Sequence, residues 1–309
     1  MRNRFSLWFV SLLVASAGSP APAADTFRVA TYNVENYLDQ PTESRPQPKS
    51  AIAKARVREC IRALNPDVLA LEEMGGPSAL LELRSSLKAE GLDLPYWELV
   101  SGEDTNIHVA VLSKLPIVAR RPHTNEVFLL DGRRFHISRG FVELDIRAAP
   151  DFTFTLIAAH LKSRRAVPEA DEAEQRLHEA RILRHIVDRD FAAHPNVKLI
   201  VLGDFNDVKD SDSTREIIGR GRFRLVDTRP AEHNGDNAPA ENSWSEPRNV
   251  TWTHYFGKED TYSRIDYILL SPGMARAWDK NDTYVLTLTN WGVASDHRPI
   301  VATFKVGNN

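Results

Sequence analysis

The sequence predicts an α/β fold, a sandwich built on mixed sheets, from three observations. Short apolar strands alternate with amphipathic helical stretches along the chain. Some strands, as across 140–160, follow one another in pairs joined by a turn, while others stand next to helices. Two runs, Asp67 to Leu71 (DVLAL) and Val197 to Leu202 (VKLIVL), read as continuous apolar strands, which implies burial on both faces. Paired strands beside helix-flanked strands favour a mixed-sheet sandwich over an all-parallel doubly wound sheet.

Each element has its own signal. Phe27 to Tyr32 reads as the first strand. Ala51 to Leu64 places Ile52, Cys60, Ile61 and Leu64 near helical spacing and stops at Asn65-Pro66. Ser78 to Glu90 reads as a helix closed by Gly91. Strands follow at Tyr96 to Val100, Val109 to Leu112 and Gly140 to Ile146. A turn at Ala148-Ala149-Pro150-Asp151 leads into Phe152 to Ala159. Pro168 is expected to open a long helix to about Phe191. Glu169, Asp171, Glu172 and Glu174 come early in it, Arg181, Arg184 and His185 late, a charge order that suits the helix dipole and reads as a solvated face. Later strands are expected at Ile265 to Leu270, Tyr284 to Leu288 and Ile300 to Val306. Asp39 to Ser50 and Thr228 to Asn249 read as long loops, a length common in functional rims.

Composition bounds the function classes. The chain has 309 residues, and 42% hydrophobic with 26% charged residues excludes a disordered protein, as 15 glycines exclude a collagen-like one. Cys60 is the only cysteine, so neither an internal disulfide framework nor a cysteine-rich zinc site is available. Arg2 and Arg4, the apolar run Leu7 to Val14 and Ala21-Pro22-Ala23 read as an export signal over residues 1–23. The run is shorter than the ~20 residues a permanent anchor needs. Cleavage leaves one domain, 24–309, with a formal charge of −5, expected to be soluble in the periplasm or the medium without a stable protein partner. A mildly acidic chain gains nothing from its overall field near a polyanion, so nucleic-acid binding would need a local basic surface or metal ions.

Polar residues collect where buried strands end. Asn33 follows VATY, Glu72-Glu73 follow VLAL and His160 follows TLIAA. Asp204 and Asn206 follow LIVLG, Asp266 lies in RIDYILL, and Asp296-His297 precede the last strand. Any one of these more often caps a helix or turns the chain. All of them together at strand termini point to a shared crevice. Glu73, Asp204, Asp266 and Asp296 are hard oxygen donors and Asn33 and Asn206 neutral ones, a set that suits Mg²⁺. His160 and His297 are then free for proton transfer, with Asp266 able to orient His297. A divalent ion beside histidines points to phosphoester hydrolysis.

The segments TYNVENY, LALEEM, AAHLKS, VLGDFND, SRIDYIL and SDHRPI, in this order from about Phe27 to Phe304, resemble the motif series of the endonuclease/exonuclease/phosphatase superfamily, the DNase I-like group. The resemblance implies a four-layer α/β sandwich, two mixed sheets face to face with helices outside. It implies that Glu73 is the principal metal ligand, Asp296 a second metal-site carboxylate, and Asn33 an amide near the metal and the attacking water. Glu72 stands where the superfamily more often has Gln. His160 is implied at the scissile phosphate, Asp204 as the water-activating or leaving-group acid, Asn206 as the phosphate-binding amide, and Asp266 with His297 as a hydrogen-bonded pair. Arg139 in SRGF resembles a phosphate-binding arginine, with a merely solvated arginine as the equal alternative. Lys162, Ser163, Arg164 and Arg165 are candidates for substrate phosphates or simply a charged loop. Trp252 and Tyr255 are candidates for stacking on a base or sugar, or for core and rim packing.

The resemblance does not fix the substrate. Thr261-Tyr262-Ser263 stands where inositol phosphatases of the group carry a Trp-Cys pair, and one cysteine excludes the disulfides of bacterial sphingomyelinases. HLKS and the export signal instead resemble secreted bacterial nucleases. The expectation is a secreted phosphodiesterase dependent on Mg²⁺, with Mn²⁺ as a substitute, cleaving DNA or RNA. A phosphomonoesterase or lipid-headgroup phosphodiesterase is the alternative. A catalytically dead binding protein fits poorly because no core acid, amide or histidine is replaced, and a calcineurin-type phosphatase fits poorly because GDxHG and GNHE are missing.

Overall fold

The computed structural model describes residues 26–233 and 249–307. The expected signal segment 1–23 and part of the expected loop 228–249 lie outside the described residues. The chain opens with β1 (Thr26–Tyr37), α1 (Ala51–Leu64), β2 (Val68–Met74), α2 (Pro77–Ala89), β3 (Tyr96–Val100) and β4 (His108–Ser113). It continues through β5 (Ile117–Arg120), a hairpin of β6 (Val127–Leu130) and β7 (Arg133–His136), then β8 (Val142–Ala149), β9 (Phe152–His160) and α3 (Glu172–Ala193). Next come β10 (Leu199–Asp204), α4 (Asp212–Ile218), β11 (Val226–Asp227) and β12 (Ala231–Glu232). The last part holds a hairpin of β13 (His254–Phe256) and β14 (Thr261–Ser263), then β15 (Asp266–Leu270), α5 (Pro272–Ala275), β16 (Trp278–Val285) and β17 (Ile300–Lys305).

Two mixed sheets result. The seven-stranded one runs β12-β16-β17-β1-β2-β4-β3 and the six-stranded one β11-β15-β10-β9-β8-β5. β1 pairs parallel with β2, and β9 parallel with β10, whereas β1–β17 and β10–β15 are antiparallel. Val29, Val68, Ala70 and Val111 of the first sheet share one core with Leu144, Leu156, Ile200 and Ile268 of the second. The outer face of the first sheet packs through Leu69, Leu71 and Leu112 on Ile61 of α1 and Leu83 of α2. The outer face of the second packs through Ile157, Val201 and Leu269 on Leu183 and Val187 of α3 and Ile217 of α4. These three apolar layers give the expected four-layer sandwich. They also explain why VLAL and LIVL carry no polar alternation, since both faces of β2 and β10 are covered.

Local chemistry sets the element ends. The Ser50 hydroxyl accepts the Ala53 N–H and caps α1, a bond worth about 1 kcal/mol. Asn65, left-handed, closes the same helix before Pro66. The long helix begins at Glu172 and not at Pro168, because the Asp171 carboxylate accepts the N–H groups of Ala173 and Glu174 and fixes the start there. Arg184 corrects the expected solvated face: it is buried, donating to the carbonyls of Ile217, Ile218 and Phe223 and so tying α3 to α4. Ile52, expected on the apolar face of α1, is exposed, and Val57 takes the buried position. The strand expected at Tyr284 to Leu288 runs from Trp278 to Val285, since its hydrogen-bonding partner β17 lies alongside that segment.

Candidate active site

Strand register brings the expected residues together. His160 at the end of β9 stands opposite Asp204 at the end of β10, and Asp204 stands opposite Asp266 at the start of β15. In the facing sheet Asn33 of β1 stands opposite Glu72 of β2. Side chains opposite one another in a sheet share a face, so pairing alone puts His160, Asp204 and Asp266 in one row. Gly203 makes the row possible. Its φ is +129°, and a Cβ there would stand 2.0 Å from the Ala159 carbonyl oxygen, so only glycine fits before Asp204.

Hydrogen bonds connect the two sheets across the site. The Asn33 amide donates to Asp204 Oδ2 at 2.9 Å and, more weakly, to Glu73 Oε1 at 3.4 Å. Its carbonyl oxygen accepts the Glu35 N–H at 3.0 Å. Glu73 Oε2 accepts the Asn36 N–H at 3.0 Å. The backbone here is strained: Glu35, Asn36, Glu73 and Asn206 all have positive φ without being glycine. Such conformations persist only where the surroundings enforce them, and they gather at functional sites.

His297 sits among three carboxylates. Its Nδ1 lies 2.9 Å from Asp266 Oδ2, while Nε2 faces Asp204 Oδ2 at 3.7 Å and Asp296 Oδ1 at 3.9 Å. Burial works against the imidazolium, but the charges of Asp266, Asp204 and Asp296 outweigh it and hold the pKa well above the ordinary value. Burial pushes the Asp204 carboxyl up to about 6 despite the neighbouring His297. His160 behaves oppositely. Burial, reinforced by the positive charges of Arg139, His297 and Arg45, keeps it neutral at pH 7. Its Nε2 is 3.5 Å from Asp204 Oδ2, and its buried Nδ1 has no hydrogen-bond partner among the described residues.

The remaining candidates frame this centre. Asn206 donates its backbone N–H to Asp204 Oδ1 at 2.8 Å and its amide to the Leu161 carbonyl at 3.0 Å. Arg139 is buried beside Asp104 and the Leu161 carbonyl, with Nε lacking a partner among the described residues. Lys162 lines one cleft with it, and burial together with the Arg139 charge lowers the lysine pKa. Trp252 stands edge-on to Tyr262 and Trp291, with the Arg298 guanidinium over its ring, so Tyr262 is the more open aromatic of the group. Asp296 is half-exposed, 3.7 Å from His254 Nε2. Burial would raise its carboxyl, yet the nearby His254 and the charge of His297 bring it below the usual range.

Three contributors were not legible in the sequence. Glu179 of α3 accepts the N–H groups of Ser138 and Lys162, fixing the loops that carry Arg139 and follow His160. Lys49, at the end of the proline-rich loop, donates to the Glu35 carbonyl at 2.9 Å and feels the charges of Glu35, Asp296 and Glu73. His254 of β13 bridges the backbone of His297. None carries a local signature, because each acts through a contact that only the folded chain creates.

The donors present fit a hard cation. Among the described residues Glu73 accepts from two N–H donors, leaving lone pairs for a metal, and Asp296 is reachable from solvent. Two groups bring ligand atoms within 4.8 Å of one another: Asp204, Asp266 and His297, and His254, Asp296 and His297. Among the described residues no helix is long and apolar enough to cross a membrane.

Comparison with known proteins agrees with this geometry. The sequence model of the Endonuclease/Exonuclease/phosphatase family matches residues 30–297. The human nocturnin catalytic domain with bound sulfate anion is 16% identical at a TM-score of 0.60, over 91% of this chain and 94% of that one. The 3′ phosphatase NExo from Neisseria, bound to product DNA hairpin, is 19% identical at 0.59, over 90% and 99%. Sphingomyelinase C from Streptomyces griseocarneus is 19% identical at 0.57, over 91% and 99%. At such identities the likeness establishes the fold. No curated protein matches the chain.

Proposed function

The chain belongs to the endonuclease/exonuclease/phosphatase family and is a metal-dependent phosphoric ester hydrolase, and from this premise we propose an exported, Mg²⁺-dependent phosphodiesterase that cleaves DNA or RNA. The observation that carries the reading is the row His160–Asp204–Asp266 with His297 beside it, facing Asn33 and Glu73 across the two sheets.

In this reading Glu73 and Asp296 hold the ion, and Asn33 ties Glu73 to Asp204. Bound Mg²⁺, or Mn²⁺ in its place, would offset the charge that develops on the phosphoryl oxygens. Asp266 holds His297 by Nδ1, so Nε2 is the atom that exchanges protons. His297 and Asp204 share general base and acid work: one takes the proton of the attacking water, the other protonates the leaving oxygen. With Asp204 raised only to about 6 and His297 held well above its ordinary value, the carboxylate is the group disposed to take a proton near neutrality and the imidazolium the one disposed to give it. Neutral His160 offers an N–H to a phosphoryl oxygen, and the Asn206 amide proton that reaches Asp204 only at 3.4 Å is the one free to turn to substrate. Arg139 and Lys162 supply positive charge beside the site, and the aromatic group around Trp252 and Tyr262 supplies a face for a base.

A substrate panel with and without EDTA tests the reading. Acid-soluble nucleotides released from plasmid DNA or from RNA only with Mg²⁺ or Mn²⁺ are expected. Strong phosphate release from sugar or inositol phosphates, or headgroup release from phospholipids, with no nucleic-acid cleavage would replace the nuclease by the alternative esterase. Mass measurement of the protein recovered outside the cytoplasm tests cleavage after Ala23 and a single 24–309 domain.

A further inference from the structure

The hairpin of β13 and β14 is locked to the segment that carries Asp296 and His297. Residues His254 and His297 form an antiparallel bridge, and the Tyr255 N–H donates to the Asp296 carbonyl at 3.0 Å. The imidazoles of His254 and His297 lie 4.5 Å apart, tilted by 43°. Between them stands Asp296, with Oδ2 3.7 Å from His254 Nε2 and Oδ1 3.9 Å from His297 Nε2. The phosphodiesterase reading gives His254 no task.

We infer that His254, Asp296 and His297 form a binding site for a borderline transition-metal ion of the Zn²⁺ class, sharing only Asp296 with the hard-cation donors around Glu73. Two imidazole nitrogens and one carboxylate oxygen are a donor set for Zn²⁺ and its neighbours, whereas Mg²⁺ takes oxygen ligands. Ligands about 2.0–2.1 Å from a tetrahedral ion stand roughly 3.3 Å apart. One ligand atom from each of the three side chains already lies within 4.8 Å of the others, and the two carboxylate oxygens of Asp296 stand 3.7 and 3.9 Å from the His254 and His297 Nε2 atoms, so binding needs the side chains to draw in. His297 is pre-oriented for the task. Its Nδ1 is held by Asp266, as a carboxylate commonly holds a metal-binding histidine, and Nε2 is thereby turned towards Asp204 and Asp296. The rigid backbone bridge sets the His254 side, and the half-exposed Asp296 leaves a water-accessible position to complete the coordination.

One consequence rests on the function proposed above. The nitrogen that would bind this ion, His297 Nε2, is the one assigned to proton exchange, so occupancy removes it from the reaction. Zinc-class ions would then inhibit the enzyme that Mg²⁺ supports. The binding site itself does not depend on that reading.

Isothermal titration of the full chain with ZnCl₂ in excess Mg²⁺, together with the visible spectrum after CoCl₂ addition, tests the inference. One Zn²⁺ per chain is expected, with Co²⁺ bands of low-coordinate intensity. His254→Gln is expected to weaken Zn²⁺ by at least the roughly 10- to 100-fold that loss of an outer-shell partner typically costs. Glu73→Gln is expected to weaken Mg²⁺ while leaving Zn²⁺ in place. Unchanged Zn²⁺ affinity in His254→Gln overturns the site, as does loss of Zn²⁺ binding in Glu73→Gln alone. Mg²⁺ affinity unaffected by Glu73→Gln would instead count against the phosphodiesterase metal site and leave the zinc result standing. A folded circular-dichroism spectrum for His254→Gln, with Asp296→Asn as a second variant, keeps loss of binding distinct from loss of structure.

Discussion

His297 Nδ1 lies 2.9 Å from Asp266 Oδ2, with both side chains almost fully buried. The pair fixes which nitrogen of the imidazole points into the site, and the carboxylate balances the positive ring in a region water does not reach. An amide cannot do both. Asp266→Asn should therefore fold normally and lose about 10²- to 10⁴-fold in kcat with little change in KM. Steady-state kinetics on whichever phosphoester the wild type cleaves provide the check, and a change confined to KM would remove Asp266 from proton handling.

Asp204 accepts bonds from Asn33 of the facing sheet and from the Asn206 backbone just past its own strand, and faces both histidines. Asp204→Ala should abolish hydrolysis, by at least about 10³-fold. The charged form of this carboxylate is disfavoured by burial, so its removal should leave the melting temperature close to that of the wild type. Near-normal turnover in a folded variant would take Asp204 out of the mechanism.

Much of this site was readable before folding because its residues sit at strand ends. A continuous apolar run such as LIVL announces a buried strand, and the first polar residue after it marks where the strand leaves the core. Parallel β9 and β10, with β15 beside them, then bring such residues into register. The end of α1 was equally readable, since Asn65-Pro66 leaves the chain no helical continuation. The hairpins Val127–His136 and His254–Ser263 were not. Their strands are short and partly exposed, with Leu129 and Tyr262 facing solvent, so apolar alternation is too weak to register. Asp171 outcompeted Pro168 as the start of α3 because a side-chain cap satisfies two orphan N–H groups and proline only tolerates the first turn.

Glu72 reads in the sequence as an extra acid beside Glu73, yet the structure gives it a different character. It is fully buried, accepts one bond from Thr31, and its second oxygen has no partner among the described residues. Burial raises its pKa well above the ordinary value, which favours the neutral carboxylic acid. Glu72→Gln, of the same shape and neutral, should change stability by less than about 1 kcal/mol, whereas Glu72→Lys should prevent folding. Denaturant unfolding of the Gln variant settles the matter: a loss of several kcal/mol would mean that Glu72 is ionised in the folded state.

Glu143 of β8 lies on the second sheet with its side chain fully buried. It accepts hydrogen bonds from Arg121, His123 and Arg189, and Arg121 also grips Asp145. Burial alone would raise the Glu143 carboxyl, but His123 and the two arginines outweigh it and bring it down to about 2. An unfolded Glu titrates near 4.3. The stabilisation is thus present above that pH and is lost as pH falls towards 2. His123 runs the other way. Burial opposes its charge, Glu143 and Glu126 overcome that, and its pKa is raised. Its contribution is complete below about 6.5 and fades as pH climbs through the raised value. Stability from this group should therefore be greatest between those two limits and fall on either side. Glu143→Gln leaves the guanidinium groups without their shared carboxylate, at a cost of about 2–4 kcal/mol, the lower part of the range for a broken buried pair because both arginines are partly exposed. The same variant should flatten the pH profile of unfolding, because neither Glu143 nor its hold on His123 then contributes. A variant whose melting temperature keeps the wild-type dependence on pH would show that the ionisation that matters lies elsewhere in the fold.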